Sequence, residues 1–166
     1  MKRIFAILLV AAAFAACTPI QEQVRVNDCT LANLDNLSLA QKQIQVGGSL
    51  LIDAENDSGS DITLTALKAE LYNRSGKRVA TLALVTPKGE KKPVLKRKSA
   101  AQVTVPLLVG FDNPLSAIAL AAMDLGDYAE KGYTVDYDCT LRAGCLKKRF
   151  RDTKVPVEQL IMMFDK

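Results

Sequence analysis

The sequence predicts an all-β fold, an antiparallel sandwich carrying one short α-helix. Three observations predict it. From Val26 onward apolar residues recur mostly at every second position, the period of strands with one face buried and one wet. Turn chemistry falls between the alternating runs, as NDSGSD at 56–61, NRSGK at 73–77, TPKGEKKP at 86–93 and LRAGC at 141–145. The interior is aliphatic: 49% of the 166 residues are hydrophobic and only 5% aromatic. That length supports one domain with a real core.

The first element is an export signal. Met1-Lys2-Arg3 supplies a positive start, and Ile4 to Ala16 is an apolar run ending in small residues, shorter than a membrane-spanning helix needs. FAAC, Phe14 to Cys17, resembles the lipobox of bacterial lipoproteins, which implies cleavage before Cys17 and acylation of that cysteine. AFA at 13–15 would also suit ordinary signal peptidase. The expected organisation is a signal peptide at 1–16, a lipid-anchored tether at 17–25 and a sandwich domain at 26–166. Two or three acyl chains hold a soluble domain on a membrane, each buried methylene contributing about 0.8 kcal/mol. Thr18 after the cysteine points to the outer membrane of a Gram-negative cell, with the domain in the periplasm or at the surface.

The strands follow in order. Leu37, Leu39, Ile44, Val46, Leu50 and Ile52 alternate first; Ile62, Leu64, Leu67, Ala69 and Leu71 share a side; Val79, Leu82 and Leu84 follow. Val103, Val105, Leu107 and Val109 oppose Gln102, Thr104 and Pro106, and Tyr133, Val135, Tyr137, Cys139 and Leu141 oppose Thr134, Asp136, Asp138 and Thr140. One stretch breaks the period. DNPLSAIALAAMDLG, Asp112 to Gly126, offers Asp112 and Asn113 as caps, Pro114 as a first helical residue and Gly126 as a stop. The spacing predicts one helix near 114–123.

Five of these stretches, LLIDAEN (50–56), LTALKAELYNRSGKRVATL (64–82), AAQVTVPLLV (100–109), PLSAIALAAM (114–123) and GYTVDYDCTLRAGCLKKRF (132–150), occur in an order similar to the late embryogenesis abundant group 2 domain, also called the water stress and hypersensitive response domain. The resemblance spans about 125 residues and lies in the order of the motifs. It departs where that family often has Asn-Pro-Asn, here Asn56-Asp57-Ser58. It implies a seven-stranded immunoglobulin-like sandwich with one helix and no catalytic residues to carry over. It also implies an association with desiccation stress and roles with lipids or other apolar ligands.

Composition excludes much chemistry. The chain has no histidine, which removes Ser-His and Cys-His catalysis and every His-containing zinc site. It has no tryptophan either, the favoured platform for quaternary ammonium groups. Without Lys2 and Arg3 the balance is 20 Lys+Arg against 18 Asp+Glu, so no nucleic-acid partner is expected. Asp53, Glu55, Asp57 and Asp61 imitate a calcium loop, but its glycine position holds Ser58 and its twelfth position Leu64. These acids therefore read as strand ends and a loop tip, and no metal or cofactor is expected. Lys88 to Lys98 holds six cations and one acid; it reads as a solvated hairpin tip, with contact to anionic headgroups as the functional alternative. In KKRFR, 147–151, Phe150 should point inward and the cations outward.

Cys29, Cys139 and Cys145 would mature in an oxidising compartment, so one disulfide is expected and one thiol is left over. Cys29 with Cys139 is the candidate pair if the first strand neighbours the penultimate one. The expected function is a non-enzymatic, lipid-anchored envelope protein that binds an apolar ligand, a lipid or an envelope protein. The alternatives are an inert scaffold or a small hydrolase using a carboxylate pair or a Ser-Lys dyad. The candidate apolar groove is lined by Leu115, Ile118, Met123 and Leu125, with the terminal run Val157 to Phe164 as a further contact surface through its methionines.

Overall fold

Period-two burial becomes antiparallel pairing in a computed structural model that describes residues 24–40, 43–123 and 125–162. The elements are β1 (Val24–Ala40), β2 (Gln43–Asn56), β3 (Ile62–Tyr72), β4 (Arg78–Leu84), β5 (Val94–Leu95) and β6 (Ser99–Phe111). Then follow α1 (Pro114–Ala122), α2 (Leu125–Glu130), β7 (Thr134–Ala143), β8 (Leu146–Pro156) and α3 (Val157–Met162). The strand order is β1-β2-β6-β4-β3-β7-β8, with the two-residue β5 added to β3. The all-β sandwich is therefore present, with seven long strands.

Two layers arise because β6 serves both. It pairs β2 along its whole length, from Asn56↔Ser99 to Ile44↔Phe111, but pairs β4 only from Leu107 to Phe111. Pro106 marks the end of that shared stretch. Its carbonyl accepts from the Val85 N–H at 3.0 Å, so its backbone faces β4. In an antiparallel strand the N–H would point the same way, and proline has none to give. Beyond this point the layers face each other. Val24, Ile52, Ala54, Val103 and Val105 from β1, β2 and β6 line an apolar gap opposite Ile62, Leu64, Leu67, Leu95 and Leu141 from β3, β5 and β7. Fully buried Leu50, Val105 and Cys139 belong to the same core.

The alternation in β3 changes parity between Leu64 and Leu67, and the structure supplies the reason. The β3–β7 register slips between Leu64 and Ala66, leaving Thr65 as the extra residue of a bulge. Its hydroxyl donates to the Thr140 carbonyl at 2.9 Å. Tyr137, Cys139, Leu141 and Phe150 point inward as expected.

Three points differ from expectation. β1 begins at Val24, two residues inside the expected tether. The helix is as expected, with Asn113 accepting from the Ser116 N–H at 2.7 Å, Pro114 in the first turn and its end at Ala122, one residue short of 123. Gly126 lies instead within α2, a second helix. The run after Pro156, Val157–Met162, is a further described helix.

Register also gives the molecule two distinct ends. Val24, Asn56 and Ser99 stand in one row, and Leu95, Ile62, Ala143 and Leu146 in another. The chain thus enters the fold beside loop 57–61, loop 96–98 and the β7–β8 turn. All three described helices follow the far ends of β6 and β8.

Candidate functional site

At the entry end, Asn56 organises the loops. Its side chain is fully buried, and Nδ2 donates toward the carbonyls of Ser60 (2.9 Å), Leu95 (3.3 Å) and Lys96 (3.1 Å). Its Oδ1 accepts from the Ser58 N–H at 3.0 Å and hydroxyl at 2.6 Å. Loop 57–61 is thereby fastened to the segment after β5. Asp61 accepts from Lys96 Nζ at 2.8 Å and from the Arg97 N–H at 2.9 Å. These bonds, Lys96 first, hold its carboxyl below the ordinary value. Lys98 takes a left-handed φ of 49°, and its ammonium reaches the Asp57 carbonyl. Gly59, Ser60, Asp61, Lys96, Arg97 and Gly144 together line a broad, open depression.

The basic run 88–98 is more than a solvated tip. Leu95 is buried in the core and β5 pairs with β3, while Lys88, Lys91, Lys92, Lys96, Arg97 and Lys98 are exposed. The β7–β8 turn adds exposed Arg142, Cys145, Leu146 and Lys147. Leu146 is 73% exposed.

The helical end is fastened by tyrosine. Tyr128 of α2 is buried and its hydroxyl donates to the Leu120 carbonyl of α1 at 2.7 Å. Burial pushes that hydroxyl's pKa well above its ordinary value. Tyr133 meets the Tyr128 ring edge-on at 5.3 Å, and its carbonyl accepts from the Val157 N–H at 3.1 Å. Val157 and Leu160 of α3 are buried. At the entrance to α1, Arg78 reaches Asp112 at 3.3 Å and Glu70 at 3.4 Å. Glu70 also accepts from the Tyr72 hydroxyl at 2.8 Å, pushing that phenol up to about 12.

The sequence-derived candidates fall in different places. Leu115 and Ile118 are 77% and 68% exposed on α1, whereas Met123 is buried. Leu125 opens α2, and its side chain lies outside the described residues, as do Cys17 and Met163. Cys29 stands opposite Ile52 in β1–β2, while buried Cys139 lies between Leu67 of β3 and Phe150 of β8. Strand pairing therefore does not make the first strand a neighbour of β7, the condition on which that disulfide rested. Of the calcium-like acids, Asp53 meets Gln102 at 3.2 Å, Glu55 meets Asn27 at 3.1 Å and Asp61 meets Lys96. Among the described residues no group of three or more His, Cys, Asp or Glu could hold a metal ion. No described helix is long and apolar enough to cross a membrane. Sequence reasoning missed Asn56, whose buried role showed only as the last residue of an alternating run.

No known family profile matches the chain, and no curated protein matches it. Among solved structures, it is similar to a target of the Northeast Structural Genomics Consortium, with 13% identity over 82% of this chain and 86% of that one and a TM-score of 0.39. A protein from Archaeoglobus fulgidus gives 11% identity, 78% and 97% coverage and 0.39. The yeast GGA1 GAE domain gives 13% identity, 79% and 96% coverage and 0.32. Scores this low leave the description of the fold to the strands themselves.

Proposed function

We propose that this chain is a non-enzymatic protein of the bacterial cell envelope, held through acylated Cys17 at the outer membrane, whose helical end binds an envelope protein. The observation that carries this reading is the outward apolar face of α1, Leu115, Ile118, Ala119 and Ala122, at the end opposite the entry of the chain. Side chains at i, i+3, i+4 and i+7 form one stripe, and this stripe faces solvent. A water-facing apolar stripe suits a protein contact. An apolar small molecule is less well served: the gap between the layers measures about 50 Å³, against roughly 300 Å³ or more for an ordinary ligand site.

The non-enzymatic part is supported by the lack of histidine, and two of the carboxylates agree with it. Lys68 holds Glu70, and Arg149 holds Asp138, below their ordinary values, the reverse of what a general acid needs. The resemblance to the late embryogenesis abundant group 2 domain adds a stress-related setting. Fatty-acid labelling tests the anchor: Cys17→Ala should lose the label, and equal labelling would end that reading. A photo-crosslinking residue at 118, compared with one at exposed position 104, tests the partner. A discrete protein adduct at 118 alone is expected; the same adducts at both positions would overturn it.

A further inference from the structure

The entry end of the sandwich combines three features that no strand ladder requires. Arg97 projects from loop 96–98 and Lys147 from the start of β8, and Lys88, Lys91 and Lys98 are exposed on the connection leading to the same end. Acids there are fewer: Asp61 is matched by Lys96, and Glu55 meets Asn27, leaving Asp57 and Glu90 exposed. Amid these cations Leu146 stands 73% exposed at the start of β8, beside a tight turn whose Gly144 has a φ of 59°. The helical end, by contrast, mixes Arg74, Lys77, Arg78 and Lys131 with Asp112, Asp127, Glu130 and Glu158.

We propose that this end is a docking face for an anionic phospholipid surface, with Leu146 entering the headgroup layer and Arg97, Lys98 and Lys147 meeting lipid phosphates. The proposal rests on the Cys17 anchor, which fixes where the membrane is. Six residues lie between Cys17 and Val24, and the seven Cα-to-Cα steps reach at most about 25 Å. Val24 lies in the row beside these loops, so a domain on so short a leash meets the bilayer with this end first. Each cation held near an anionic leaflet strengthens partition about fivefold, and a partly inserted leucine adds apolar burial that salt does not screen.

The test is hydrogen exchange on the whole acylated protein in phosphatidylcholine vesicles and in vesicles containing phosphatidylglycerol. Amides at 95–98 and 143–148 should exchange severalfold more slowly on the anionic vesicles only. Arg97→Glu with Lys147→Glu should abolish that protection, and Leu146→Ser should reduce it, while the anchor keeps every variant on the vesicles in high salt. Equal exchange on both lipids, or protection indifferent to the charge reversals, would overturn the docking face. Loss of vesicle retention in high salt would instead indict the anchor. If the chain carries no acyl group, its flotation with anionic vesicles decides docking: flotation lost on charge reversal supports it, and no flotation overturns it.

Discussion

Asn56 shows how much one buried amide can hold. Its Nδ2 faces three carbonyls and its Oδ1 accepts twice, all inside a turn that joins β2 to β3 and to the strand lead-in after β5. Replacement by alanine strands those partners, with the Leu95 carbonyl the most deeply buried. Asn56→Ala should therefore cost about 2 to 3 kcal/mol. In urea unfolding the midpoint should fall with the slope unchanged; a midpoint within error of wild type would show that water replaces the amide. Asn56→Asp should be worse at neutral pH, since it turns a donor aimed at carbonyls into an acceptor. None of this was legible beforehand, because the partners lie 4, 39 and 40 residues away and come from separate loops.

At the scale of elements, pattern was legible where burial obeys the strand period and obscure where it does not. The slip from Leu64 to Leu67 in the sequence was already the bulge at Thr65. The helix start at Asn113-Pro114 was equally plain. Its end was legible to within one residue, but the second helix was not, because Gly126, a stop signal by residue type, lies inside α2. In α3, Val157 and Leu160, three residues apart, both reach the core, a helical spacing. One pairing makes a sharp element-scale prediction. Gly110 sits opposite Thr81 in β6–β4, and a Cβ there would lie 2.6 Å from the threonine hydroxyl. Gly110→Ala should destabilise by about 1 to 3 kcal/mol, and Thr81→Ala should restore most of it. A double-mutant cycle showing simple additivity would refute the contact.

Across the whole molecule, charge sets how the fold meets acid. Glu70 and Asp138 have folded values below their ordinary 4.5 and 3.8, through Lys68 and Arg149 respectively. For carboxyls shifted down, the stabilisation is complete above the unfolded value and is lost as pH falls through the folded one. Thermal midpoints should therefore stay level from neutrality to about pH 5 and then decline, and Asp138→Asn should flatten that decline. A midpoint insensitive to acid would refute it. The fold class was readable from composition and period, whereas the polarity of the molecule, loops and entry at one end and helices at the other, needed the register. That polarity has a mechanical consequence. A pull between a membrane-held Val24 and a partner gripping α1 would run parallel to the strands. The β1–β2 ladder, from Val24↔Asn56 to Ala40↔Gln43, would then be loaded in shear, its hydrogen bonds sharing the force together and not opening one by one. Such a domain resists tension along its axis far better than tension across it.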